Sequence, residues 1–229
     1  MGLDCERTLP LPMFIGHFGA ALGAKRLAPE LSLGTLMLAA QLVDLLWPTF
    51  LLLGWERVEI RPGASGAVPL AFEHYPWSHS LLAVLGWGAL VGVGLRAAGA
   101  STRACAVAAV LVLSHWILDA LVHVPDLPLA PGGAARIGLG LWNQPLVVLV
   151  LELALFAGGL ASYRRSTAAR DRIGTRALVG LAALLAAIHV GNVFGPPPPD
   201  VAAIAWVGQA QWLLVILGFW VDRHRTPAH

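Results

Sequence analysis

"ACAVAAVLVLSHWILDALVHVPDLPL", Ala104 to Leu129, is the stretch on which the fold turns. Its first part, Ala104 to Leu113, is an unbroken apolar run of the kind a lipid bilayer accepts. The remainder carries His115, Asp119, His123 and Asp126 within about three helical turns. At 100° per residue, the first three point at about 0°, 40° and 80°, so they share one helix face. Asp126 would fall near ~20° in a continued helix, but Pro125 disfavours α geometry at Val124. A charged group facing lipid costs about 2.5–3.5 kcal/mol even on lenient scales. This face must therefore look into a bundle interior, at a partner or at an ion.

The rest of the chain agrees with a lipid setting. Of 229 residues, 57% are hydrophobic and only 12% charged, with a mean hydropathy of +0.72. A soluble domain carries roughly 25% charged residues. The sequence thus predicts an all-α polytopic transmembrane bundle, a single integral membrane domain over residues 1–229 with no room for a separate soluble domain. A bilayer core needs about 20 apolar residues per helix, and seven segments qualify, at roughly 10–26, 32–54, 78–98, 102–125, 138–163, 175–194 and 201–221. The first is short and rich in Gly and Ala. Gly19/Gly23 and Gly88/Gly92 have the GxxxG spacing of close helix packing.

Basic residues set the orientation. With the N-terminus outside, one face collects Lys25, Arg26, Arg96, Arg103, the run "YRRSTAARDRIGTR", Arg223 and Arg225. The other has only Arg7, Arg57, Arg61 and Arg136. The positive-inside rule then places the C-terminus on the cytoplasmic side. Cys5 and Cys105 fall on opposite sides, so no disulfide is expected, and the N-terminus lacks the basic n-region and cleavage site of a signal peptide. Between Trp55 and Trp77, "RVEI" and "AVPLAF" flank a Pro-Gly/Ser-Gly turn and read as a short outer hairpin or an extended lid. "FGPPPPD", Phe194 to Asp200, reads as a stiff polyproline loop. Trp47, Trp55, Trp77, Trp142 and Trp206 fit an interfacial belt.

Placed by depth, the polar residues agree with one another. His17, Asp44, His79, His115, Asp119, His123, Asp126, Trp142, Asn143, His189 and Asn192 all fall in the outer half, and Glu152 lies near mid-depth. Pro48, four residues after Asp44, frees the Asp44 carbonyl and predicts a kink, while Gln41 lies one turn away on the same face. Imidazoles mixed with carboxylates favour Zn, with Mn or Fe as alternatives, over Ca or Mg. His-x3-Asp puts two ligands on adjacent turns of one helix. Asp44, His79, His115 and Asp119 are accordingly the expected metal ligands. His17, His123 and Asp126 are the expected general-base and catalytic groups, although His17 equally fits a capped polar pocket, and His123 and Asp126 equally fit supports for the ligands. His74 reads as an exposed loop histidine, His189 as a satisfied core histidine, and Glu152 as either a structural hydrogen bond or a proton relay. His224 and His229 read as a solvated tail.

The motifs "DLLWP", "YPWSHSLL", "SHWILDALVH" and "PDLPLAPGG…GLGLWN" resemble those of the YdjM-like family, LexA-regulated membrane-bound metal-dependent hydrolases. That family shows an early His, P-D-x-D on its second helix, a T-H-S helix start and S-H-x3-D. The matching positions here are His17, Asp44, Ser78-His79-Ser80, and Ser114-His115 with Asp119; Leu46 stands where a second Asp would be. The resemblance covers about residues 14–145 and leaves the helices of about 146–221 outside it. It implies a metal-dependent hydrolase embedded in a bacterial inner membrane; a site in the outer, periplasmic-facing half then suggests an amphiphilic or lipid substrate, with an ester or phosphoester as the bond attacked. The outer arginines Arg57, Arg61 and Arg136 suit either an anionic headgroup or simple anchoring. Two other readings stand beside this one. The first is a proton-coupled transporter or ion conductor, against which the apolar inner half of the bundle argues. The second is a non-catalytic, metal-containing subunit of a membrane complex. Composition offers nothing for nucleic acid.

Overall fold

In hydrocarbon, backbone groups can bond only to one another, and a chain of this composition answers with helices. The computed structural model describes residues 14–65 and 68–228, and it is mostly helical. All seven apolar segments are helical. Five are long and apolar enough to cross a membrane: α2 (Leu33–Leu52), α5 (Thr102–Val122), α6 (Pro145–Ser166), α7 (Arg172–Phe194), and the pair α8 (Val201–Gln209) and α9 (Gln211–Arg223) taken as one span. Two are shorter, α1 (Ile15–Ala24) and α4 (Leu81–Ala97). A single turn, α3 (Pro76–His79), precedes α4. Cys5, Arg7 and His229 lie outside the described residues, as does the start expected for the first span.

Short polar side chains set the boundaries. Ser32, Ser80, Ser101, Asp171 and Asp200 each accept a backbone N–H in the first turn of α2, α4, α5, α7 and α8 respectively. The Asp171 cap starts α7 three residues before the expected position. Pro76 and Pro145 open α3 and α6, where a missing N–H costs nothing. Residues expected to begin the fifth span instead form a loop and a 3-10 turn before Pro145, because Gly140 sits at φ 73° and breaks the helical path. Pro125 ends α5 early, at Val122.

Outward-facing residues are apolar. Leu90, Val93, Val110, Ile117, Leu146 and Val150 are exposed, the inverse of a soluble protein and the pattern expected with lipid as solvent. Half of the α2 span is buried inside the protein, against 22% for α8–α9, which makes α2 the central helix. Glycines permit the closest contacts. A Cβ on Gly159 of α6 would collide with the Gly19 carbonyl of α1, and one on Gly88 of α4 would meet the Ala109 carbonyl of α5 at 3.1 Å. Both GxxxG spacings are thus packing seams. Cys105, a free thiol, lies on the second of them, facing Gly92.

Among the described residues, three antiparallel strand pairs tie the helix ends. β1 (Arg57–Ile60) pairs with β2 (Leu70–His74), as the flanking turn foretold. β3 (Leu127–Pro128) pairs with β4 (Arg136–Ile137) at the same end of the bundle, hereafter the hairpin end. At the opposite, tail end, β5 (Thr167–Ala169) pairs with β6 (Arg225–Pro227). The C-terminal segment is therefore not a solvated tail: Arg225 is buried and His224 bonds Asp171 at 2.7 Å. Phe72 of β2 turns inward onto Trp47, Tyr75, His123 and Trp142, so the first hairpin also acts as a lid. Trp55, Trp77 and Trp206 are exposed as a belt requires, whereas Trp142 is buried against His123.

Candidate metal centre

Each helix contributes to the hairpin-end interior what its register allows. α1 brings His17 from its first turn, α2 brings Asp44, α3 ends in His79, and α5 brings His115 and Asp119 one turn apart. The side chains meet. His115 Nε2 lies 3.2 Å from Asp119 Oδ2 and 3.6 Å from Asp44 Oδ1. His79 Nε2 lies 3.5 Å from Asp44 Oδ1 and 3.9 Å from Asp119 Oδ2. A tetrahedron with metal–ligand bonds of about 2.0–2.1 Å has edges of about 3.3–3.4 Å, so these separations suit one ion. Two triads, His17/Asp44/His115 and His79/His115/Asp119, present ligand atoms within 4.8 Å of one another. The Asp44 side chain is 22% exposed and that of Asp119 only 6%, so the cluster opens on the Asp44 side.

Hydrogen bonds behind the imidazoles fix which nitrogen faces inward. His115 Nδ1 lies 2.8 Å from the Ala40 carbonyl oxygen. A carbonyl only accepts, so Nδ1 carries the proton. His79 Nδ1 lies 2.7 Å from Ser78 Oγ, whose hydroxyl donates to Glu56 Oε2 at 2.6 Å. Since the carboxylate only accepts, the serine oxygen receives the His79 Nδ1–H. In neutral imidazoles both Nε2 atoms then carry lone pairs, and these point at two carboxylates. In that form four acceptors converge with no donor between them. Such a grouping is unfavourable alone and favourable around a cation. Carboxylate-to-histidine support of this kind is the usual way a ligating imidazole is held.

His17 stacks flat on His115, with centroids 3.8 Å apart, and its Nε2 lies 3.3 Å from Asp119 Oδ1. Neither of its ring nitrogens has a hydrogen-bond partner among the described residues. Its place is set by Glu152 of α6, whose carboxylate accepts the Phe14 and Gly16 N–H groups at 3.0 and 3.2 Å. Of the two roles open to Glu152, the structure shows the hydrogen-bonded one: it caps the α1 N-terminus, where a negative group is favoured. His189 is buried 3.8 Å from Glu152 with neither nitrogen bonded, so it is not a satisfied core histidine. Gln41, fully buried, likewise has both amide atoms unpartnered.

His123 and Asp126 form a separate pair beside this cluster. His123 Nδ1 lies 2.8 Å from Asp126 Oδ1, which also accepts the Tyr75 hydroxyl at 2.9 Å. Burial and the neighbouring Asp126 push the Tyr75 hydroxyl well above its ordinary pKa, keeping it a donor. The Tyr75 ring lies 5.2 Å from that of His79 and links the two groups. His74 ends β2 opposite Arg57 and joins neither. Glu56 and the role of Ser78 were missed by the sequence reading. Glu56 also accepts the Trp77 and Ser78 N–H groups, both at 2.8 Å, and nothing in the chain's spacing announces a partner so far along it.

Comparison with protein-family models, curated proteins and solved structures gives no match. What stands is a chain with five candidate membrane spans and a buried His/Asp cluster able to hold a metal ion.

Proposed function

We propose that this chain is a membrane-embedded metal-dependent hydrolase, with Asp44, His79, His115 and Asp119 as ligands, acting on an ester or phosphoester of an amphiphilic substrate. The observation that carries the reading is the pair of imidazoles held with Nε2 toward two carboxylates. An ion held there supplies Lewis acidity and a water activated near neutral pH. Zinc suits the mixed nitrogen and oxygen donors best, with manganese or iron as alternatives. His17, uncommitted at both nitrogens and stacked on a ligand, is the proposed general base. The His123–Asp126 pair is engaged with itself and Tyr75, and buttresses His79 through the Tyr75 ring. The motifs that resemble those of the YdjM-like family, and a charge asymmetry that suits a periplasmic hairpin end, fit the same reading.

Elemental analysis of the purified protein tests it. Wild type should carry metal, and His115→Ala and Asp119→Ala should not. Metal-loaded wild type should then hydrolyse esters or phosphoesters of lipids, with His17→Ala keeping its metal and losing turnover. A metal-free wild type would leave a protonated hydrogen-bond network, as a proton-coupled transporter uses, and would sink the hydrolase reading. Metal without hydrolysis, together with stoichiometric co-purifying partners, would point to the complex subunit instead.

A further inference from the structure

On the face of α5 turned away from His115 and Asp119 lies a groove of about 500 Å³, within the roughly 300–1,000 Å³ of ordinary ligand sites. Trp116, Ile117, Ala120 and Leu121 form one wall, and Ile137 and Leu139 the other. The second wall is built in. Leu139 N–H donates to the Ala120 carbonyl at 2.8 Å, and Gly140 N–H to the His123 carbonyl at 2.7 Å. Gly138 makes this approach feasible, since a Cβ there would collide with the Val124 and His123 carbonyls. The groove is therefore a fixed feature rather than a gap between side chains.

One polar feature breaks its apolar lining. Arg136 lies along it, exposed, with Nη1 on the Asp126 backbone oxygen at 3.1 Å and no carboxylate paired to it among the described residues. Arg61, by contrast, is already held by Glu59 at 2.6 Å and Glu73 at 2.9 Å. An apolar channel in a lipid-facing wall and one unpaired guanidinium match two parts of one molecule: acyl chain and anionic phosphate.

We propose that this groove seats an anionic phospholipid from the leaflet on the hairpin side, its chain along α5 and its phosphate on Arg136. Charge complementarity selects this occupant over a zwitterionic lipid. Asp126, whose backbone oxygen holds Arg136, also bonds Tyr75, whose ring lies 5.2 Å from that of His79, so a chain of contacts links the groove to the cluster. That the same lipid is the substrate rests on the hydrolase reading; that it binds does not.

Native mass spectrometry of the full-length protein with added phosphatidylglycerol or phosphatidylcholine tests the proposal. Wild type should retain one phosphatidylglycerol with about fivefold preference, the effect of one basic residue at an anionic surface. Arg136→Gln should equalise the two lipids. Ile117→Trp, at a half-exposed position where a larger side chain fills the groove without touching the core, should release both. His115→Ala should lose metal and keep the lipid preference, so the two readings fail separately. Equal retention of both lipids by wild type, or unchanged phosphatidylglycerol binding in Arg136→Gln and Ile117→Trp, would overturn the proposal.

Discussion

The two ends of this bundle both bury ionisable groups, and they do so in opposite ways. At the tail end, Lys25 Nζ donates to Asp222 at 2.9 Å and to the Leu31 carbonyl at 2.8 Å. Tyr163 donates to the other Asp222 oxygen at 2.9 Å. Arg225 bonds Thr167 twice and the Gly174 carbonyl once, with its guanidinium 5.5 Å over the Tyr163 ring. Each of these buried charges has met hydrogen-bonding partners within the chain. At the hairpin end, by contrast, imidazole and carboxylate acceptors face one another, and His17, His115 Nε2, His189 and Gln41 lack hydrogen bonds. Buried polar groups that serve packing are satisfied internally. A set that cannot satisfy itself marks a place for something the chain does not supply. The tail-end network also corrects the expectation of an apolar inner half.

The contrast is open to measurement. The largest effect should come from the satisfied end: Lys25→Met strands a buried carboxylate and should cost about 3–5 kcal/mol of unfolding free energy. Adding Asp222→Leu should recover most of it, and metal content should not change in either variant. At the unsatisfied end the order reverses. Zinc at about 100 times its Kd should stabilise wild type by about 2.7 kcal/mol. His115→Ala should show no zinc-dependent rise in Tm while folding normally without metal. If zinc stabilised His115→Ala as it does wild type, the two ends would not differ as argued.

A smaller effect isolates the orienting chain. Ser78→Ala or Glu56→Gln should weaken metal affinity about 10–100-fold and leave ligand number unchanged. Titration with a competing chelator reads this directly, and unaltered affinity would mean that the Ser78–Glu56 relay does not hold His79. The smallest effect lies at the tail surface. The His224 hydrogen bond holds the Asp171 carboxyl below the usual carboxylate range. Its folded pKa being the lower, its stabilisation is complete above the unfolded value of about 3.9 and is lost as pH falls through the folded one. Asp171→Asn should lower Tm slightly near neutral pH and match wild type in strong acid. A gap that persists there would assign the effect to the α7 cap instead.

Much of this was legible from residues alone, for identifiable reasons. Apolar runs marked the helices, because bilayer thickness and backbone self-satisfaction leave little choice. A rise of about 1.5 Å per residue converts position into depth, so His17, Asp44, His79, His115 and Asp119 were recognisable as neighbours in height. The boundaries that moved, at Gly140, Pro125 and Asp171, moved where local turn chemistry outweighed hydropathy. His189 and the C-terminal segment were misread because a lone histidine and a short polar tail give no sign of what packs beside them.

Composition and periodicity by themselves determined that the chain partitions into lipid, where its helices run, and at which level its polar groups lie. Only the packed tertiary structure decided which atoms meet. It turned both Nε2 atoms inward through Ala40 and the Ser78–Glu56 relay, set Glu152 on the start of α1, and closed the tail end on itself. Depth is a property of one helix, summed from covalent geometry. Contact between distant residues depends on how helices rotate and pack against one another, and no single segment encodes that.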